Sequence, residues 1–281
     1  MQFLPNGLAA LLGDQLVLCE PLQTTEHILW VNSQDGVDTN TGRDREAPLK
    51  TLVRADILSA AGDLIVLMSG FTETLTAALA PKQGVTIVGE GSVGGVPTAT
   101  LYNNQAAASM LLPSIGVEFR NIRFKENVQT NLAARIAVVT RNVRILNCYF
   151  DCGVTDGGPA VVYGPGADYP VLANTKFVST STLKTARPYD AVQVAAAVSH
   201  FTMSNVTFDD GTYGFTRDYA FEALIPVWYF KGLGVELLNG ASMFFGTAVI
   251  EQQLYQSTGW LNVRLRTGGA RVVWDDVPAP N

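Results

Sequence analysis

The sequence predicts an all-β solenoid, chiefly because one short phrase recurs four times in the middle of the chain. Each copy has an apolar residue, one spacer, Asn, two further residues and then Phe, and successive Asn residues are 26, 27 and 31 positions apart. A repeat of about 20 to 50 residues is typical of a solenoid, because one repeat cannot bury its apolar face without a stacked neighbour. The four pairs are Asn121 with Phe124, Asn147 with Phe150, Asn174 with Phe177, and Asn205 with Phe208.

The residues before each Asn alternate in the manner of a half-buried strand. Val117 and Phe119 share one parity, and Glu118 and Arg120 share the other. Period two favours a strand, whereas a helix needs apolar residues three and four apart. A β-sandwich is the alternative, but the long irregular gaps between copies are unlike two-residue hairpin turns.

The repeated Asn predicts a bend at the same point of each repeat. Asn is a weak strand former, and it tolerates left-handed backbone in turns. Stacked coils would place these amides above one another, each donating to the next. We therefore expect a structural ladder of four amides beside a stack of Phe rings, with the next copy at Asn239 and Phe244. The ladder residues are Asn121, Asn147, Asn174 and Asn205.

Composition bounds the class of protein and its partners. Of the 281 residues, 47% are hydrophobic and only 16% are charged, and the net charge is −6. A nucleic-acid partner is disfavoured because phosphate binding needs a basic face. No apolar run approaches the length of a membrane span, so no membrane partner is expected. The three cysteines fit neither a disulfide framework nor a zinc spacing, and we interpret Cys148 and Cys152 as small buried side chains.

Three segments are predicted along the chain. Residues 1–27 contain no repeat phrase and are interpreted as an attachment arm, with a short strand pair as the alternative. Residues 28–276 form the repeat domain, and residues 277–281 form a C-terminal tail. The first residues lack the basic region of a signal peptide.

The start of the repeat domain resembles a known family. Trp30 to Gly42 is a strand followed by a loop of Gly, Asp and Asn, and Pro48-Leu-Lys-Thr51 then leads into a predicted helix from Thr51 to Ala61. This order resembles the opening of pectin-lyase-like right-handed parallel β-helix proteins. The resemblance implies a single-stranded right-handed parallel β-helix of roughly nine coils with a short capping helix. The family includes lyases, hydrolases, adhesins and phage spikes, so its fold does not fix an activity.

Two motifs suggest ligands but have simpler explanations. Gly89 to Gly94 matches a dinucleotide-binding pattern, but the sequence after it is extended, whereas that fingerprint requires a helix. Asp35, Asp38, Asn40 and Asp44 could surround calcium, but their spacing is not that of an EF-hand, and a turn rich in Asp, Asn and Gly is the favoured explanation. We therefore expect no cofactor and no metal.

Catalytic chemistry is the alternative to a structural role. Glycosidases of the resembled family place carboxylates on adjacent coils, so Asp209 and Asp210 are the candidates in that case. The resemblance also implies a Gly-His-Gly and an Arg-x-Lys segment for the hydrolases. Neither is present, since His27 and His200 have no Gly neighbours. The prediction is therefore a protein without catalytic residues.

An aromatic stretch between residues 219 and 230 has three interpretations: packing over the solenoid, a subunit interface, or a platform for sugar rings. Aromatic side chains are enriched at interfaces, which favours the second interpretation. The predicted interface residues are Phe221, Trp228, Tyr229 and Phe230.

The resemblance is closest to β-helices of bacteriophage virions, and it implies a non-enzymatic structural or adhesive protein. We expect a homotrimer in the virion, assembled in the host cytoplasm, either as a tail spike or as a capsid decoration. The arm would bind other virion proteins, and a cell-surface polysaccharide is a candidate ligand. The alternatives are a polysaccharide lyase or glycoside hydrolase acting on surface glycans and, less favoured, a carbohydrate-binding module.

Overall fold

A computed structural model describes most of the chain, and the described residues form short strands and one α-helix. The described residues are 9–12, 15–18, 27–103, 111–126, 134–152, 159–179, 191–209, 221–223, 227–238, 243–245, 251–255, 263–265 and 271–273. Side chains are described within 27–102, 111–125, 134–152, 159–179, 191–209, 221 and 233–238.

Three long parallel sheets contain nearly all of the strands. Sheet 1 has ten strands: β3 (Ile28–Val31), β4 (Leu64–Leu67), β6 (Thr86–Gly89), β10 (Glu118–Arg120), β13 (Arg144–Leu146), β16 (Val171–Ala173), β19 (Val198–Ser204), β22 (Val227–Leu233), β25 (Glu251–Tyr255) and β27 (Arg271–Val273). Sheet 2 has seven: β5 (Thr72–Leu75), β9 (Thr100–Asn103), β11 (Arg123–Glu126), β14 (Tyr149–Asp151), β17 (Lys176–Val178), β20 (Thr207–Asp209) and β23 (Glu236–Leu238). Sheet 3 has six: β12 (Ile136–Val138), β15 (Val161–Tyr163), β18 (Val192–Val194), β21 (Phe221–Ala223), β24 (Met243–Phe245) and β26 (Val263–Leu265).

From β10 to β24 the chain visits sheets 1, 2 and 3 in a fixed rotation. Each strand then pairs in parallel with the strand that comes one rotation later, as Phe119 pairs with Ile145 and Ile145 with Leu172. We call one rotation a rung. Rungs stacked through long parallel sheets make this a β-helix-like all-β fold, as the repeat predicts.

The Phe residues of the repeat stack inside the fold. The ring centroids of Phe124 and Phe150 are 4.7 Å apart, those of Phe150 and Phe177 are 4.6 Å apart, and those of Phe177 and Phe208 are 5.2 Å apart. All four side chains are fully buried. The predicted Phe stack is therefore confirmed, and it aligns one rung on the next.

Left-handed backbone occurs at both ends of the sheet 1 strands. At the end of these strands the column contains Asn121, Asn147, Asn174, Asn205 and Gly234, all with positive φ. A second column, again with positive φ, contains Gly62, Gly84, Gly116, Asn142, Tyr169 and His200. The last four each lie five residues before an Asn of the first column, whereas no left-handed residue lies five positions after Gly62 or Gly84. The chain thus turns sharply into and out of sheet 1.

The fifth corner of the first column corrects the predicted repeat. Phe208 pairs with Leu237, and the left-handed residue three positions before Leu237 is Gly234 rather than Asn239. Glycine adopts this conformation at no steric cost, so the corner does not require Asn. Asn239 itself lies outside the described residues.

A short helix covers the first rungs. Helix α1 spans Leu52–Leu58, and its N-cap Thr51 accepts a hydrogen bond from the Arg54 amide at 3.1 Å. The predicted helix is confirmed, but it ends earlier than Ala61 because the backbone at Ser59 is already extended. Below it, Glu73 accepts a hydrogen bond from the Leu52 amide at 2.6 Å, which satisfies one of the free donors of the first turn.

Two small antiparallel pairs lie outside the long sheets. The pair β1 (Ala9–Leu12) and β2 (Gln15–Leu18) falls within residues 1–27, so this region contains the strand pair given as the alternative. Its role as an attachment arm stays a prediction. The pair β7 (Ser92–Val93) and β8 (Val96–Pro97) occupies the segment that matched the dinucleotide pattern. A hairpin stands where that site would need a helix. The predicted tail, 277–281, lies outside the described residues.

Candidate functional site

The outer face of sheet 2 brings several charged and polar side chains together. Strands place alternate residues on opposite faces, so the residues on either side of each stacked Phe point outwards. Following the pairing register, one outward column contains Arg123, Tyr149, Lys176, Thr207 and Glu236. The other contains Tyr102, Lys125, Asp151, Val178 and Asp209.

Polar contacts on this face run from one rung to the next. Arg123 Nε donates to Asp151 Oδ2 at 2.7 Å, and Lys176 Nζ lies 3.5 Å from Asp209 Oδ2. Thr207 Oγ1 donates to Glu236 Oε2 at 3.0 Å. Each of these contacts joins neighbouring rungs, so the face holds the stack together.

The first ion pair on this face is the more buried one. The Asp151 side chain is 5% exposed, and that of Asp209 is 16% exposed, while Arg123 and Lys176 keep about a third or more of their side chains in solvent. A buried carboxylate without its cation would be strongly disfavoured. Arg123 is therefore needed to compensate the buried charge of Asp151.

Tyr149 lies between these charges. The Arg123 guanidinium is 5.7 Å from the centre of the Tyr149 ring. Burial raises the pKa of Tyr149, the negative charge of Asp151 raises it further, and the Arg123 guanidinium opposes both. The phenol therefore stays protonated at neutral pH.

Of the two candidate acids, only Asp209 lies within the described residues. Asp209 ends β20, and Asp210 lies outside the described residues. Asp151 occupies the same column two rungs earlier, which separates the two backbones by about 9 to 10 Å at the usual strand spacing. A signal for this pair exists in the sequence, since Asp151 and Asp209 each follow a repeat Phe directly.

Two further arginines, Arg135 and Arg144, have structural contacts. Arg135 is fully buried and donates from a terminal nitrogen to the Asp151 carbonyl at 3.1 Å. Arg144 pairs with Glu118 at 3.1 Å, and Arg120 Nε donates to the same carboxylate at 2.7 Å. Neither arrangement leaves an arginine next to a cluster of acids on the outer face of sheet 2.

The four Asn residues of the repeat lie at one corner. Their backbone amides donate to the carbonyl of the next rung at 2.7 to 3.0 Å, and the Asn205 side chain donates to Asn174 Oδ1 at 3.0 Å. Asn121 differs because its side chain donates to the Gly89 carbonyl at 2.6 Å. Apart from the half-buried Asn121, these side chains are exposed.

Phe221, one of the four predicted interface residues, lies in the core. It is fully buried in β21, and its ring makes an edge contact with Phe201 at 5.9 Å. The fold therefore hides this ring within a single chain, and it has no surface to offer a partner. The side chains of Trp228, Tyr229 and Phe230 lie outside those described, so their place at an interface stays a prediction.

The remaining candidates act within turns or the core. Asp38 accepts hydrogen bonds from the Lys50 and Thr51 amides at 2.9 and 3.0 Å, as expected of a polar turn.

Within the described residues no group of three or more potential metal ligands is found, and no helix is long and apolar enough to cross a membrane. Cys148 and Cys152 are buried as predicted, and burial raises the pKa of Cys148 to about 12.

Comparisons with known proteins show only weak structural similarities. Neither the protein-family models nor the curated proteins match this chain. Among solved structures, a rhamnogalacturonan lyase is similar at 11% identity and a TM-score of 0.41, covering 90% of this chain and 64% of the lyase. The GH136 lacto-N-biosidase from Eubacterium ramulus is similar at 11% identity and a TM-score of 0.31, covering 88% of this chain and 68% of that protein. At these scores neither similarity assigns an activity.

Proposed function

We propose that the protein is a non-enzymatic structural and adhesive β-helix of a bacteriophage virion, assembled as a homotrimer. The finer description of the fold belongs to this proposal: a right-handed solenoid of roughly nine coils. The observation that carries the non-enzymatic part is the pairing of outward carboxylates with cations of the neighbouring rung.

Rung-to-rung ion pairs favour a structural role for Asp151 and Asp209. The two carboxyl groups of a glycosidase must both face one glycosidic bond, whereas each of these carboxylates faces a cation of the preceding rung. Asp151 is bound by Arg123 and Asp209 lies against Lys176. The same contacts stabilise a stiff rod, as an exposed virion protein requires.

The outer face of sheet 1 supports assembly. Six outward residues on four successive rungs are uncharged, and we call them the sheet 1 patch: Leu146, Val171, Ala173, Thr202, Ser204 and Leu233. The two other outward positions on these rungs, Arg144 and Lys231, are charged and border the patch. Strand β22, which contributes Leu233, also carries the predicted interface residues Trp228, Tyr229 and Phe230. Closed three-fold packing would cover such a face once per subunit without leaving a growing end.

The virion location and the attachment arm rest on the sequence. A segment without the repeat phrase precedes the first rung, the charged fraction is 16%, and the resembled group includes phage spikes and capsid decorations. Residues 1–27 would bind another virion protein, and a cell-surface polysaccharide would be the external ligand.

Incubation with a panel of bacterial surface polysaccharides tests the non-enzymatic part. We expect no new reducing ends and no unsaturated sugars. Products that disappear in Asp209→Asn but persist in Glu46→Gln, an exposed carboxylate away from this face, would establish an enzyme instead.

One observation favours the alternative, a glycoside hydrolase. The backbones of Asp151 and Asp209 are about 9 to 10 Å apart by strand spacing, and inverting glycosidases use carboxyl groups about 6.5 to 9.5 Å apart. In that alternative Asp151→Asn would abolish cleavage as completely as Asp209→Asn.

A further inference from the structure

The corner column that precedes the sheet 1 strands changes residue type along the stack. Its first three residues are glycines and its fourth is Asn142, all of which accept left-handed backbone at low cost. The next rung has Tyr169 at φ 55°, and the one after it has His200 at φ 54°. His also tolerates this conformation, so Tyr169 is the unexpected residue.

The backbone of Tyr169 is strained. A bulky side chain makes the left-handed region unfavourable, and Tyr169 has a φ of 55°. Residues held in such conformations cluster at ligand sites, because the position of the side chain outweighs the local cost. This indicates that the Tyr169 ring is required at the corner.

The two rings form an exposed stack. The centroids of Tyr169 and His200 are 4.6 Å apart, their planes are 11° from parallel, and Tyr169 remains 50% exposed. His200 covers one face of the Tyr169 ring. The opposite face is turned towards the preceding rung, where Asn142 occupies the corner and its shorter side chain is also exposed.

We call this arrangement the Tyr169–His200 step: one face of the Tyr169 ring packs on His200, and the Asn142 side chain lies on the side of the other face. The apolar C–H face of a pyranose ring packs on the electron-rich face of an aromatic ring. Hydroxyl groups at the edge of the sugar can exchange hydrogen bonds with an amide and with a phenol, both of which donate and accept. By register Tyr229 lies one rung beyond His200, since Ser199 pairs with Trp228 and Phe201 with Phe230.

We propose that the Tyr169–His200 step binds a sugar ring of a polysaccharide. The inference deepens the adhesive part of the proposed function and rests on it. The ring faces of Tyr169 and His200 would orient the sugar, and Asn142 would contact its hydroxyl groups.

Binding of the full chain to immobilised lipopolysaccharides and capsular polysaccharides tests this proposal. Tyr169→Asn gives the corner the residue that already stands at position 142, and Tyr169→Phe keeps the ring as the matched control. We expect the unaltered chain to bind at least one glycan, Tyr169→Asn to weaken that binding by about tenfold or more, and Tyr169→Phe to retain most of it. His200→Asn removes the supporting ring and should also weaken binding, which provides a second test if Tyr169→Asn does not fold.

The outcomes separate this site from the proposed function. If the unaltered chain binds no glycan of the panel, the site is refuted while the structural role is unaffected. Equal binding by the chain and by both Asn variants also refutes the site, but the adhesive role remains. Cleavage of a bound glycan would overturn the non-enzymatic function, while a dependence of binding on Tyr169 would still support the site.

Discussion

The side chain of Asn205 donates a hydrogen bond to Asn174 Oδ1 at 3.0 Å, and both residues have left-handed backbone. The contact joins two rungs at an exposed corner of the fold. Gly234 occupies the same corner one rung later, so backbone conformation is the shared requirement of this column. The side-chain contact is an addition to it.

At position 174 a glycine variant should be more stable than an alanine variant, which is the reverse of the order usual in strands and helices. Asn174→Ala loses the contact with Asn205. Its free energy of unfolding also falls by about 1 to 2 kcal/mol because alanine is disfavoured in left-handed backbone. Asn174→Gly loses only the contact, so it should be the more stable variant by about 1 kcal/mol in urea unfolding. Ala173→Gly, one residue earlier in an ordinary strand, is the control and should be destabilising. Equal stability of the two Asn174 variants would contradict the assigned corner.

The Phe stack should dominate the stability of the middle rungs. Phe177 is fully buried between Phe150 and Phe208. Phe177→Ala should lower the free energy of unfolding by about 3 to 5 kcal/mol because it leaves a cavity in the stack. Phe177→Leu is the matched variant, since Leu237 ends the same column, and it should cost clearly less. A loss below about 1 kcal/mol for Phe177→Ala would be incompatible with the close packing described.

Asp63 should make the first rungs sensitive to acid. Burial alone would raise its pKa, but the Ala60 amide, His27 and Arg43 together hold the pKa of this carboxyl below its ordinary value of 3.8. A group with a lowered pKa in the folded state contributes stability above its unfolded pKa and loses it as the pH falls further. The free energy of unfolding measured in urea should therefore fall as the pH is lowered from about 5 to about 3.

Two variants test whether Asp63, rather than another acidic residue, causes the loss of stability at low pH. Asp63→Asn should be less stable at pH 7 and should lose part of the decline between pH 5 and pH 3. Glu46→Gln, which replaces an exposed carboxylate on the same side of the fold, should keep the full decline. A decline of the same size in both variants would mean that Asp63 is not its source.

The fold could be predicted from the sequence where the repeat is regular. The Asn and Phe positions define a corner and a core column directly, and the helix at Leu52–Leu58 follows from Thr51 and the apolar residues after it. The prediction failed at the fifth corner because Gly234 serves there equally well. It also failed for Phe221, because an aromatic-rich stretch does not show which of its rings point inwards.

The candidate site was less accessible to sequence reasoning. Asp209 was identified, but Asp151, 58 residues away, is placed in the same column only by the register of the rungs. The Tyr169–His200 stack was not predicted, because the repeat phrase does not include the position five residues before each Asn, where both residues lie. Pairing across rungs depends on loop lengths, which vary between copies.

Assembly should depend on the sheet 1 patch. Ala173 lies near its centre, so Ala173→Arg would introduce a charge into the proposed subunit contact and should yield monomers. Ala137 lies outward on sheet 3, and Ala137→Arg should leave the assembly intact. Dissociation by both variants would point to a general loss of stability rather than to this face.

The mass of the unaltered protein in solution is the most direct test of the proposed function. Light scattering coupled to size-exclusion chromatography at micromolar concentration should give about 91 kDa, which corresponds to three chains of 30.2 kDa. A single species of about 30 kDa under the same conditions would contradict the trimer on which the account depends.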